Sequence, residues 1–138
     1  MRCVRLRPHG RACRRTVERA QVTTTAEAGL SRTRLAIVAL MLVSAAIHLS
    51  RALVDPDIAV LFALNAAGYV GLAALFILPI PALARWKGAI RWVIVAYAAV
   101  TIAFFVLWGA MSGDWPLIGF VDKAVEVSLI ALLLRERA

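Results

Sequence analysis

Cysteine is nearly absent: the 138 residues hold two thiols, Cys3 and Cys13, both close to the N-terminus. A redox pair or a zinc site would need more ligands at tighter spacing, so these read as incidental thiols. Catalytic signatures are missing as well. There is no GxSxG, HExxH, Walker, CxxC or dinucleotide fingerprint. No soluble stretch is long enough to house a catalytic domain. The chain is therefore expected not to be an enzyme and to bind no cofactor or metal. Low-complexity tracts and solenoid repeats are also lacking.

What the chain has in abundance is apolar residues. They make up 62% of it, against roughly half in soluble domains, too much to hide in a core of its own. The net charge of +8 invites a nucleic-acid reading. The excess lies in residues 1–34 and at the ends of apolar segments, where orientation in a bilayer and attraction to anionic lipid explain it. The expected partners are a lipid bilayer and a second copy or another membrane protein, with no nucleic acid.

Four apolar segments, 35–54, 58–80, 90–111 and 116–134, fill the rest. Each has about the 20 residues that a helix needs to cross ~30 Å of hydrocarbon. The expected fold is all-α, an integral membrane four-helix bundle running up-down-up-down through short loops. Residues 1–34 form a basic extension, 35–134 the transmembrane domain and 135–138 a tail. Charges in the gaps alternate. Arg32 and Arg34 precede the first segment, Asp55 and Asp57 follow it, and Arg85, Lys87 and Arg91 fill the second gap. Asp114 lies in the third, and Arg135 and Arg137 close the chain. Basic flanks mark the cytoplasmic side, which places both termini inside a prokaryotic inner or plasma membrane. Trp86, Trp92, Trp108 and Trp115 all fall near segment ends, where aromatic belts anchor helices at membrane interfaces.

Residues 1–21 contain seven arginines, one glutamate and no serine. They read as a basic arm at a lipid surface, as an organellar transit peptide, or as a mis-assigned start with Val22 as the true initiator. The first apolar run is long for a signal peptide and lacks a small-residue cleavage site at its end, so no cleavable signal is expected. At the first gap, Asp55 is expected to cap the second helix, with Pro56 at its first position and Asp57 in its first turn. Ala63, Ala67 and Gly71 follow small-xxx-small spacing and are expected to let a neighbouring helix approach closely.

Ionisable residues inside membrane spans are costly and often functional. His48 and Arg51 lie three apart on one helical face, Asn65 sits in the second span, and Asp122, Lys123 and Glu126 occupy a ~100° arc of the fourth. Counted at 1.5 Å per residue, they lie roughly 5–15 Å in from the outer end of their spans, so four helices can bring them to one level. The formal charges of Arg51, Lys123, Asp122 and Glu126 cancel, as a buried network requires. The plain reading is interhelical polar glue, with Arg51 pairing a carboxylate or snorkelling outward. The sharper one is proton or ion handling by Glu126 with His48. A metal site of His48, Asp122 and Glu126 has the weakest support. Ser44, Tyr69, Tyr97, Thr101 and Ser128 are expected to satisfy themselves on backbone carbonyls.

The segments LFALNAAGYVGLAALFILP, RWVIVAYAAVTIAFFVLWG and PLIGFVDKAVEVSLIALLL resemble a set of small four-helix membrane proteins of archaea and bacteria. The likeness rests on Asn65, Gly68 and Tyr69 in the second span, and on Gly119, Phe120, Asp122, Lys123 and Glu126 in the fourth. It covers residues 35–134 and implies a fold but no reaction, since that family has no established activity. A looser, architectural likeness is to DoxX-like proteins, which are linked to quinone or redox partners. The expected role is a small multi-pass membrane subunit or interaction protein with a buried polar network. The alternatives are a small proton- or ion-coupled transporter using Glu126 and His48, and a quinone- or redox-linked membrane subunit.

Overall fold

The computed structural model describes residues 31–136. The expectations for residues 1–21, for Cys3, Cys13 and Val22, and for Arg137 in the tail lie outside the described residues. The chain is all-helical, with no strand among the described residues. Its four long helices are α1 (Arg32–Val54), α2 (Ala59–Ile77), α3 (Lys87–Ser112) and α4 (Leu117–Arg135), and a 3-10 helix, Pro81–Trp86, leads into α3. By length and composition, three segments among the described residues are apolar enough to cross a membrane: Arg32–Val54, Ala59–Ile77 and Pro81–Ser112. The fourth helix has 19 residues but carries Asp122, Lys123 and Glu126.

Proline and glycine set the breaks. Asp55 precedes Pro56 and Leu78 precedes Pro79, and a residue before proline is pushed out of helical geometry. Leu78 is accordingly extended, at φ −66° and ψ 129°. Gly113 closes α3 in the left-handed region at φ 73°, a conformation that glycine adopts without a Cβ clash, and its N–H reaches the Gly109 carbonyl at 2.9 Å. The expected cap at the first gap is corrected. Residues 56–58 form a turn, α2 starts at Ala59, and Ile58 stands at its N-cap with no side-chain hydrogen bond. Proline and two aspartates there favour the turn over a longer helix.

Each helix buries one narrow stripe at helical spacing. On α1 it is Ile37, Met41, Ser44, Ala45 and His48, on α2 Ala66, Tyr69 and Ala73, and on α4 Asp122, Glu126, Leu129 and Leu133. Helix α1 packs on α2 and α4, and α3 packs on α4 and α2, so the four close a ring in which diagonal helices meet only through side chains. Ile37, Met41, Ala73, Ile94, Leu129 and Leu133 form the apolar part of the core. The buried stripe continues past them into the polar residues of the next section.

Ala63, Ala67 and Gly71 are a second correction. All three are exposed, and a Cβ at Gly71 would meet nothing within 4 Å. The face of α2 that packs is rotated from this stripe, because Tyr69 and the polar Asn65 have partners inside the ring. Close packing in α2 occurs at Gly68 instead, where a Cβ would overlap the Tyr97 hydroxyl.

Candidate functional site

The second half of the core is a cluster of charged and polar side chains supplied by all four helices. Its centre is a pair of carboxylates one turn apart on α4. Asp122 is 2% exposed and Glu126 is fully buried. Such groups are tolerated in an apolar interior only when paired and hydrogen-bonded, and here they are.

Glu126 Oε1 accepts the Tyr69 hydroxyl at 2.7 Å and the Thr101 hydroxyl at 2.6 Å, and Oε2 accepts Lys123 Nζ at 2.6 Å. Asp122 Oδ1 accepts the Ser44 hydroxyl at 2.8 Å, and its Oδ2 lies 2.9 Å from Lys123 Nζ. One ammonium therefore bridges both carboxylates. It also stands 6.0 Å from the centre of the Phe105 ring, within cation–π range.

His48 completes the cluster from α1. Its Nε2 lies 3.4 Å from Asp122 Oδ2 and 3.7 Å from Glu126 Oε1, and 2.8 Å from the Asn65 side-chain amide. The imidazole sits between the Phe62 and Tyr69 rings, with centroids 5.7 and 5.9 Å away, which fixes its plane. Its Nδ1 is buried without a hydrogen-bond partner. Tyr97 donates to the Asn65 carbonyl at 3.1 Å and meets Tyr69 edge-on at 5.0 Å, so the small Gly68 beside it helps to hold this wall of the site.

Of the residues singled out from the sequence, the structure brings together His48, Asn65, Asp122, Lys123 and Glu126. Arg51 does not join them. It is half-buried, and its side chain makes no hydrogen bond or ion pair among the described residues. The cause is reach. Lys123 already sits on the same helix as both acids, within 3 residues of Glu126, and leaves no acceptor unpaired for a guanidinium from α1. Replacing Arg51 with glutamine is accordingly expected to change stability in detergent by less than about 0.5 kcal/mol, as for surface positions. A loss several times larger would show that Arg51 does support the cluster.

Ser44 and Tyr69 are expected to bond backbone carbonyls and instead donate to the two acids, whereas Thr101 bonds the Ala98 carbonyl at 2.8 Å and Tyr97 the Asn65 carbonyl, as expected, with Thr101 sharing its hydroxyl with Glu126. Ser128 does bond the Ala124 carbonyl, at 2.8 Å. Their spacing carried the missing signal: Ser44 lies four residues from His48, and Tyr69 four from Asn65, which puts each pair on one helical face. Trp86, Trp92, Trp108 and Trp115 are all exposed.

One ligand atom from each of His48, Asp122 and Glu126 can be chosen so that all lie within 4.8 Å of one another, a spacing from which one cation could be held. Lys123 supplies a positive charge at that place. The fold and cluster together define a class: an all-helical protein with membrane-length apolar helices and a buried acid–base cluster at the centre of the ring. No protein family, curated protein or solved structure matches the chain.

Proposed function

We propose that this chain is a multi-pass protein of a prokaryotic inner or plasma membrane. It crosses four times, up-down-up-down, with both termini cytoplasmic, and serves as a small membrane subunit or interaction protein with no catalytic role. The observation behind this reading is that donors from α1, α2 and α3 converge on two buried carboxylates of α4. In a bilayer, apolar faces do not drive helices together, so interhelical hydrogen bonds and close packing set their register.

The fourth crossing is supported by the way α4 is turned. Asp122 and Glu126 face inward, while Leu117, Phe120, Val121, Val127 and Leu134 are exposed. Polar inside and apolar outside is the pattern of a helix in lipid. Orientation follows from Arg32, Arg34, Arg85, Lys87, Arg91 and Arg135 against Asp55, Asp57 and Asp114. The exposed tryptophans suit both interfaces.

A chain with Cys3 and Cys13 changed to serine tests the topology. A cysteine at Asp57 is expected to react with an impermeant maleimide from outside the cell. A cysteine at Arg85 is expected to react only after permeabilisation. The reverse pattern would overturn the orientation, and equal labelling of both would overturn the membrane reading.

A second reading is favoured by the charge count. With Arg51 outside the cluster, Lys123, Asp122 and Glu126 sum to one negative charge, and His48 Nε2 faces both acids. A net negative charge held inside an apolar bundle could attract a proton or a small cation, as a carrier would require. In vesicles with a trapped pH dye, the subunit reading expects no proton movement through the protein. A proton flux that Glu126→Gln abolishes, in a protein that still folds, would give the carrier reading first place.

A further inference from the structure

At the other end of the bundle, away from the acid–base cluster, lies a cavity of about 60 Å³ lined by Arg34, Lys87, Arg91 and Glu136 on its polar side and by Leu75, Phe76 and Ile90 on its apolar side. We propose that this cavity binds the headgroup of an anionic membrane lipid, a phosphodiester that also carries a hydrogen-bond donor such as the hydroxyls of phosphatidylglycerol. The inference rests on the membrane reading above, because it places the basic end of the helices at headgroup level.

Charge is the first support. Among the described residues, Lys87 and Arg91 add positive charge to the lining beside the Arg34–Glu136 ion pair. Lys87 is exposed and makes no hydrogen bond or ion pair among the described residues. Basic pockets between helices on the cytoplasmic side are where anionic headgroups bind.

The second support is a pair of unmet hydrogen-bonding atoms. Glu136 Oε1 accepts Arg34 Nε at 2.8 Å, and Arg91 Nη1 donates to the Glu136 carbonyl at 2.5 Å. Those bonds leave Arg91 Nε, a donor, and Glu136 Oε2, an acceptor, both buried and without partners. Buried polar atoms of this kind ordinarily find a partner in protein, water or ligand. A bare anion would satisfy the guanidinium and be repelled by the carboxylate. Arg91 and Glu136 both line the cavity, so a phosphodiester with a neighbouring hydroxyl seated there brings an acceptor to the guanidinium and a donor to the carboxylate. The apolar walls of Leu75, Phe76 and Ile90 then lead the first carbons of the acyl chains toward the lipid-facing surface. A cavity of this size also admits a few waters, and that alternative is one outcome of the test.

The test is retention of lipid by the purified full-length chain, read by native mass spectrometry with dioleoylphosphatidylglycerol and dioleoylphosphatidylcholine at equal concentration. The expected result is preferential retention of one phosphatidylglycerol, falling severalfold in Lys87→Gln, which removes one positive charge from the cavity lining. Gly88→Leu keeps every charge and is expected to abolish the preference by filling the cavity, where a Cβ at Gly88 meets nothing within 4 Å. Arg85→Gln removes the same charge outside the cavity and is expected to leave retention unchanged.

Equal loss in Arg85→Gln and Lys87→Gln would reduce the effect to general surface charge and overturn the site. Equal retention of the two lipids would show that water alone occupies the cavity. Displacement of the lipid by millimolar inorganic phosphate would assign the site to a soluble anion and overturn the lipid source. Extraction of the chain from phosphatidylcholine vesicles by alkaline carbonate is a separate control. Release there would overturn the membrane reading itself, whereas a retained chain without lipid preference would overturn the site alone.

Discussion

Lys123→Met is expected to destabilise the protein in detergent by about 3–5 kcal/mol, the cost of breaking a buried ion pair from one side. Methionine keeps most of the stem that packs near Phe105 and removes the ammonium that bridges the acids at 2.9 and 2.6 Å. Two carboxylates one turn apart then face each other with hydroxyl donors and an imidazole only. Arg51 cannot take over, because its side chain stands outside the cluster. Reversible unfolding in mixed detergent micelles measures the loss. A variant within about 0.5 kcal/mol of the parent would mean that the acids are not held by Lys123.

Glu126→Gln is the second large effect, and the expected loss is again about 3–5 kcal/mol. The side chain is fully buried, and its oxygens accept from Tyr69, Thr101 and Lys123. An amide retains one acceptor and turns the other into a donor. That donor must then face either two hydroxyl protons or an ammonium. Removing a single neutral donor, by Tyr69→Phe or Thr101→Val, is expected to cost less, about 0.6–2 kcal/mol as for interhelical hydrogen bonds in membrane proteins. The ordering matters more than the absolute values. A neutral or stabilising Glu126→Gln would show that the chain keeps an acid there at the expense of stability. Proton or ion handling with His48 would then lead over the structural role.

Much of this arrangement was legible in the amino-acid sequence, and the rest failed for definable reasons. Long apolar runs and proline-marked gaps made four helices and an all-α class readable, because the length of a hydrophobic segment is a nearly one-dimensional signal. The rotation of each helix about its axis is not. Ala63, Ala67 and Gly71 share a face with ideal spacing for a close neighbour, yet the polar Asn65 and the large Tyr69 turn the opposite face inward. When an apolar environment surrounds a bundle, burial of the few polar groups decides rotation, and small residues follow. The same rule would have placed Ser44 with His48 and Thr101 on the inner face.

Charge partners were the other blind spot. Arg51 and Lys123 have the same formal charge and lie at similar depths by residue count, so a neutral sum could not choose between them. The i, i+3 placement of Lys123 before Glu126 could, since neighbours on one helix meet without any tertiary fit. The 3-10 helix at Pro81–Trp86 left no periodic signal, being six residues that begin with proline. The cavity lined by Arg91 and Glu136 joins residues 45 apart and needed coordinates to be found.

The double-mutant cycle joining Lys123→Met and Glu126→Gln tests most directly whether the buried cluster locks the four helices together. The expected result is a double variant less destabilised than the sum of the two single losses by about 0.5–3 kcal/mol, as for residues in one ion-pair network. Single losses that add to within about 0.3–0.5 kcal/mol would contradict a coupled lock at the centre of the bundle.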